Sequence, residues 1–366
     1  MFISVFLLVY FLASFFALFY YRQQFVFLTK KQGYLLWIFA TSILLISRSL
    51  ASYLPFPVLK ILALFSGYWS FFLYYTVLLG VIHYLYFAFM KRVSKNKNNF
   101  GIYATRLRKT GLVIIFICMV IGTIEAYNPV MRYEIIKTDK IISPVKIVLV
   151  SDLHLGTFLG LEYCENLVNR INKENPDLVL IAGDIIDDKY EIVKKQDSMK
   201  PLAKIEAKLG VAAVLGNHDY FDRRTDEEID YLKKIGVAVL VNEDKLLDQI
   251  YVVGLKDFSK DQQIEYLQSL SKSNKNNYSI LLEHQPRRID AASKTGYDLY
   301  LAGHTHGGAF FPNGVFTKLI HQLDYGRQDF DDMTAIVTSG YGFFGIPVRL
   351  GVRSEYVVID LQPASY

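Results

Sequence analysis

The stretch VKIVLVSDLHLG (residues 145–156) runs six β-favouring, mostly apolar residues directly into a loop that carries Asp152 and His154. An apolar run of that length without alternation reads as a strand buried on both faces. The same design recurs four times downstream: DLVLIAG before DIIDD, VAAVLG before NHDYF, YSILL before EHQP, and DLYLAG before HTHGG. Helical stretches at 161–173 and 195–208 separate the first three runs, so the order is strand, helix, strand. Parallel strands place their C-terminal ends on one edge, and the loops that follow converge there. The expected fold is therefore α/β, with five polar motifs meeting at one place.

Those motifs carry Asp152, His154, Asp184, Asn217, His218, His284, His304 and His306. Five of the chain's seven histidines fall within them, which scattered structural histidines would rarely produce. Each residue alone has an ordinary reading. Asp152 or Asp184 could cap a helix, Asn217 could make a turn, and His154 or His284 could be a satisfied core imidazole. His304 and His306, at i and i+2, could face one site from an extended segment or simply fill a polar turn. Together the set has more donors than one cation needs. Two divalent ions bridged by a carboxylate would use nearly all of them and would clamp the attacking and leaving oxygens of a phosphoryl displacement.

The ordered motifs SDLHLG, AGDIID, GNHDYF, LLEHQP and AGHTHGG resemble the calcineurin-like metallophosphoesterase family over residues 131–362. The paired glycines and the tail SGYGFFGIPVRLGVRSEYVVIDL resemble its membrane-associated bacterial branch, which includes enzymes acting on UDP-2,3-diacylglucosamine. Ala309 and Glu283 stand where that branch usually has Gln and a small residue. The resemblance implies a two-sheet α/β sandwich. It implies one divalent ion (Mn, Zn or Fe) on Asp152, His154, Asp184 and His306, and a second on Asp184, Asn217, His284 and His304. A hydroxide held between the two would attack phosphorus. His218 would stabilise the developing charge or protonate the leaving oxygen. Asp219 is expected to orient His218 or to cap a helix, while Asp187 and Asp188 read as solvated loop acids. Arg287 and Arg349 are candidate phosphate contacts or salt-bridge partners, and His321 a surface imidazole near the site. The alternative is a non-catalytic membrane sensor or scaffold that keeps the metals for structure; an intact His218 argues against it.

The first 127 residues read differently. The chain has 366 residues, 52% hydrophobic and 15% aromatic. Residues 1–144 hold 15 Lys and Arg against 3 Asp and Glu, which leaves 25 against 32 in the remainder. An acidic C-terminal half without a basic cluster offers little footing for nucleic acid. Four apolar segments, at 2–21, 34 to about 56, 59–90 and 111–127, read as transmembrane helices, the second weakened by Arg48. His83 within the third reads as a packing histidine rather than a ligand. Lys and Arg in the loops after the first and third segments, among them Arg22, Lys91, Arg92, Lys95, Lys97 and Arg106, place those loops in the cytoplasm. Four crossings put the C-terminal half outside a bacterial inner or plasma membrane; loss of the second would invert this. The expected organisation is a membrane domain at 1–127, a linker with a first strand at 128–144, and a catalytic domain at 145–366. The bilayer and a phosphorylated lipid or envelope substrate are the expected partners. Cys118 and Cys164 cannot build a disulfide framework and lack metal-ligand spacing.

Overall fold

The computed structural model describes residues 2–22, 29–93, 100–187, 189–257 and 277–364. Contacts divide the chain into two units: Met1–Ile124 with Gly345–Val348, and Glu125–Phe344 with Arg349–Tyr366.

The first unit holds α1 (Phe2–Tyr21), α2 (Lys30–Ser49), α3 (Phe56–Val93) and most of α4 (Phe100–Tyr127). Among the described residues three helices are long and apolar enough to cross a membrane: α1 from Ser4, α3 and α4. The second helix also forms, shifted from the expected segment toward the N-terminus. It starts on a capping box, in which the Thr29 side chain accepts from the Gln32 amide and the Gln32 side chain accepts from the Thr29 amide. It ends before the turn that leads to Pro55. Small and polar groups join the helices. Ser14 Oγ lies 2.7 Å from Thr41 Oγ1, Trp37 Nε1 donates to Ser14 Oγ at 2.9 Å, and Tyr10 donates to the Thr41 carbonyl at 3.1 Å. Gly80 of α3 lets α1 approach, since a Cβ there would lie 2.4 Å from the Phe16 ring. His83 hydrogen-bonds Tyr20 of α1, a packing contact.

Two six-stranded sheets make the second unit. The first has the order β1 (Val130–Thr138), β12 (Glu355–Pro363), β2 (Val145–Val150), β3 (Leu178–Ala182), β4 (Val211–Val214), β5 (Val237–Val239). The second has the order β10 (Gly326–Phe330), β11 (Met333–Val337), β9 (Leu299–Ala302), β8 (Tyr278–Leu282), β7 (Ile250–Gly254), β6 (Glu243–Leu247). Pairing is parallel from β2 through β5 and from β7 through β9 to β11. All five quoted apolar runs are central strands.

Alternate residues explain why those runs do not alternate in polarity. Ile147 and Leu149 of β2 and Leu178 and Leu180 of β3 face Ile280, Leu282, Leu299 and Leu301 in a core between the sheets. Val148, Val150, Val179 and Ile181 pack on the other side with Cys164, Leu167, Val168 and Ile171 of α5 (Leu161–Lys173). Both faces are covered, so both are apolar. The second expected helix, at 195–208, does not form: α6 (Tyr190–Lys195) ends where it should begin, and only a 3-10 turn at Lys200–Lys204 lies within it. Asp197 sits at a φ of 51° and Pro201 follows, and both interrupt a helical ladder.

Candidate metal centre

Beyond the strand ends, backbone bonds stitch the loop after β2 to that after β3, and the loop after β8 to that after β9. Asp152 N donates to Gly183 O at 2.9 Å, His154 N to Asp184 O at 3.0 Å, and Gly303 N to His284 O at 3.0 Å. Asp152, His154, Asp184, His304 and His306 all hold φ between 46° and 73°, a region that L-residues seldom adopt. Five such residues in one place are strain held by the surrounding fold, and they turn successive side chains inward. Gly216 has the related reason of space: a Cβ there would lie 2.1 Å from Asp184 Oδ1.

Three groups of potential ligands result: Asp152, His154 and His306; Asp184, His284 and His304; and His154, Asp187 and His218. In the first, the Nε2 atoms of His154 and His306 face each other at 3.2 Å, with Asp152 Oδ1 lying 3.5 Å from the latter. That carboxylate oxygen is buried without a hydrogen-bond partner. In the second, His284 Nε2 lies 3.2 Å from each of Asp184 Oδ2, Asn217 Oδ1 and His304 Nδ1. Asp184 Oδ2 also lies 3.8 Å from His154 Nε2, so this carboxylate is shared by the two groups.

In His284 the outward nitrogen fixes which lone pair points in. His284 Nδ1 lies 2.8 Å from the Ala182 carbonyl of β3, which accepts a hydrogen bond from Nδ1–H and leaves the Nε2 lone pair for a metal. His306 Nδ1 lies 3.2 Å from the Ser339 carbonyl and 2.5 Å from Arg349 Nη2, an acceptor on one side and a donor on the other, so these neighbours hold the ring without setting its tautomer. Burial alone would raise the Asp184 carboxyl, but His284, His154 and His218 hold it below the usual carboxylate range. Burial would likewise raise Asp152, and His306 and His284 outweigh it. Burial lowers His284, yet Asp184 and Asp152 pull it up to about 10, while burial and His284 push His304 down to about 4. Buried carboxylates with converging imidazole lone pairs call for positive charge between them, which is what divalent cations supply. The residues present fit a metal centre.

His218 stands beside it. Its ring lies 4.8 Å from that of His154, and its Nδ1 lies 3.0 Å from Asp187 Oδ1. Asp187 is the main correction to the sequence reading: its side chain is 5% exposed and sits 3.4 Å from His154 Nδ1 as well. It is a buried acid between two site imidazoles, not a solvated one. Asp188 lies outside the described residues. Asp219, expected to orient His218 or to cap a helix, faces elsewhere. Its carboxylate accepts from Gly216 N at 2.7 Å and Ile186 N at 3.0 Å, tying two site loops together. Asp187, three residues beyond Asp184, takes the orienting position, its backbone held by Asp187 N donating to Leu155 O at 3.0 Å.

Arg349 is a second correction. It is fully buried and donates to the carbonyls of His306 at 2.9 Å, Ser339 at 2.8 Å and Gly342 at 2.6 Å. It therefore braces three loop carbonyls and is neither a phosphate contact nor a carboxylate partner. Glu283 pairs with Arg288 at 2.7 Å, while Arg287 is exposed. The His321 ring lies 6.4 Å from that of His304, at the edge of the site.

A family model described as calcineurin-like phosphoesterase matches residues 145–308. An uncharacterized metallophosphoesterase of Aquifex aeolicus is 31% identical over 68% of this chain and 98% of its own length. One from Helicobacter pylori is 31% identical over 64% of this chain, which spans 65% of that relative. A transmembrane protein with metallophosphoesterase domain from Danio rerio is 29% identical over 69% of this chain and 62% of its own length. The loop motifs, the two-sheet fold and these matches agree: the chain belongs to the calcineurin-like metallophosphoesterase family.

Proposed function

We propose that the protein is a membrane-anchored dinuclear phosphohydrolase that cleaves a phosphoester or pyrophosphate of a lipid-linked or cell-envelope substrate. The observation that supports it most is the shared carboxylate of Asp184 between two buried donor groups, with His218 beside them. Asp152, His154, Asp184 and His306 would hold one ion, and Asp184, Asn217, His284 and His304 the other. Bound there, two divalent cations of manganese, zinc or iron supply charge neutralisation at phosphorus and an activated water. The chain's own residues do the rest. Asp187 keeps His218 oriented through Nδ1, so that its other ring nitrogen is available to donate to the leaving oxygen. The inner loops, held by Arg349 and by the Asp219 carboxylate, keep the donors in place without reorganisation.

Apolar helices in the same chain favour a substrate that shares the membrane, because tethering raises its local concentration. We further propose that the catalytic half faces the extracytoplasmic side. That orientation requires α2 as a fourth crossing: its 20 residues amount to about 30 Å and carry charge only at Lys30, Lys31 and Arg48 near the ends, although it is less apolar than the three helices that qualify as spans.

Metal analysis of detergent-purified protein is expected to find two divalent ions per chain and chelator-sensitive release of phosphate from phosphoester substrates. His218→Ala should keep both ions while losing on the order of 10² to 10⁴ in rate; full activity in that variant would sink the assignment. For sidedness, a cysteine placed at Arg92 is expected to resist impermeant thiol reagents in intact cells.

A further inference from the structure

The site has an aromatic rim that neither metal binding nor proton donation explains. Phe221 is 66% exposed and Phe344 48% exposed, yet both stand against the same imidazole: their ring centroids lie 4.7 Å and 5.2 Å from that of His218. Phe344 also covers His154 at 5.4 Å and His306 at 5.5 Å. Single exposed aromatics are ordinary on a protein surface. Two that converge on one candidate proton donor are not scattered.

Neither ring is a loose surface side chain. The segment before Phe344 is held against the site loop, with Tyr341 N donating to Ser151 O at 2.8 Å and Gly342 N to Asp152 O at 2.7 Å. Its neighbour Phe343 turns inward, 3% exposed, onto Tyr127 and Phe158 with centroids at 5.0 Å and 6.0 Å. On the opposite loop, Phe221 N donates to His218 O at 3.0 Å, and the Asp222 carboxylate accepts from Tyr190 N at 2.7 Å. The fold therefore spends backbone hydrogen bonds on presenting two apolar rings to water beside a charged centre. That arrangement gains only when something apolar covers the rings.

We infer that Phe221 and Phe344 form the specificity wall of the site, and that it takes phosphoesters whose group beside phosphorus is a flexible apolar chain. This rests on the metallophosphoesterase reading of the same site and names its substrate class. A phosphoryl group seated between the two donor groups places its ester oxygen beside His218, and whatever that oxygen carries next meets the two rings. A polar leaving group would leave both rings wet, whereas an alkyl chain would cover them and gain affinity with each methylene buried.

The test uses the full chain in lipid nanodiscs, loaded with manganese, and calorimetric titration with ethyl, butyl and hexyl phosphate. Hexyl phosphate is expected to bind at least about tenfold more tightly than ethyl phosphate, from four further methylenes half covered. In the Phe221→Ala/Phe344→Ala double variant that ratio should fall to about twofold, with two ions per chain still present, and Phe221→Leu/Phe344→Leu should restore most of it. A flat series in the wild type, or an undiminished ratio in the alanine variant, overturns the inference and leaves the metal site standing. If ethyl phosphate itself fails to bind the manganese-loaded chain, the phosphoesterase reading falls, and the specificity wall with it.

Discussion

The two candidate metal groups use the same residue types and differ in how far water reaches them. Asp152, His154 and His306 are 0%, 1% and 4% exposed, and the outward nitrogens of both histidines meet buried partners, Asp187 for one and the Ser339 carbonyl with Arg349 for the other. In the second group Asp184 and His284 are as deeply buried, but His304 is partly open and Asn217 is its neutral member. A closed donor set with a braced outer layer holds its ion as part of the fold. The set with an open imidazole and a neutral amide is built for exchange and for meeting ligands.

The largest effect should come from the residue that erases the distinction. Asp184 Oδ2 reaches His154 of the first group and His284 of the second. Asp184→Ala is expected to lose both ions, with hydrolysis down by at least about 10³-fold, the upper range for one electrostatic group. Inductively coupled plasma analysis beside a rate assay checks it; retention of one full equivalent of metal would break the idea of a shared carboxylate.

Splitting the two groups should produce a smaller and unequal loss. His304→Ala is expected to give up one ion and keep the other, with little change in melting temperature. His306→Ala should cost metal and also fold stability, because a ring only 4% exposed, packed beside Arg349 and the Ser339 carbonyl, is replaced by a cavity; about 2–5 kcal/mol is the usual range for such a large-to-small change in a core. Metal stoichiometry and thermal unfolding of the two variants, measured together, decide the matter. Identical losses in both would mean that the contrast in burial has no energetic counterpart.

Much of this was legible in the sequence because strands buried on both faces cannot alternate. Five apolar runs each ended in acids or imidazoles, and all five became central strands with those residues at one edge. The helix at 161–173 was equally legible, since its apolar residues recur on one face: Cys164, Leu167, Val168 and Ile171 all enter the core. What failed depended on contacts remote in sequence or on single backbone angles. Arg349 lies 43 residues from His306 and looks like any surface arginine until the fold surrounds it with carbonyls. Asp187 sits among DIIDD, where nothing local tells a buried acid from a wet one. The expected helix at 195–208 has fair propensity but meets a left-handed Asp197 and then Pro201. In the membrane unit, apolarity located the third and fourth helices, although the helices run on past Lys91, Arg92 and Arg106. Long basic side chains end an apolar run without ending a helix.

Asp187 gives the finest test of the contrast, because it braces the closed group through His154 and the reactive edge through His218. Asp187→Asn keeps the shape and removes the charge. Burial lowers His218, but Asp187 and Asp184 outweigh it and raise its pKa to about 9. Removing one of those carboxylates must lower it. As a proton donor His218 acts in its charged form, so activity falls as pH rises through its pKa, and the alkaline limb of the kcat/KM profile should move to lower pH in the variant. Bound cations depress His218 in wild type and variant alike, so the displacement between the two profiles survives. The rate at the optimum should fall by roughly 10- to 100-fold, as for other residues that orient a ligand or donor from behind. Were Asp187 merely packing, the variant would melt earlier with its alkaline limb in place; a displaced limb with the metal content kept assigns it to the orientation and charge of His218.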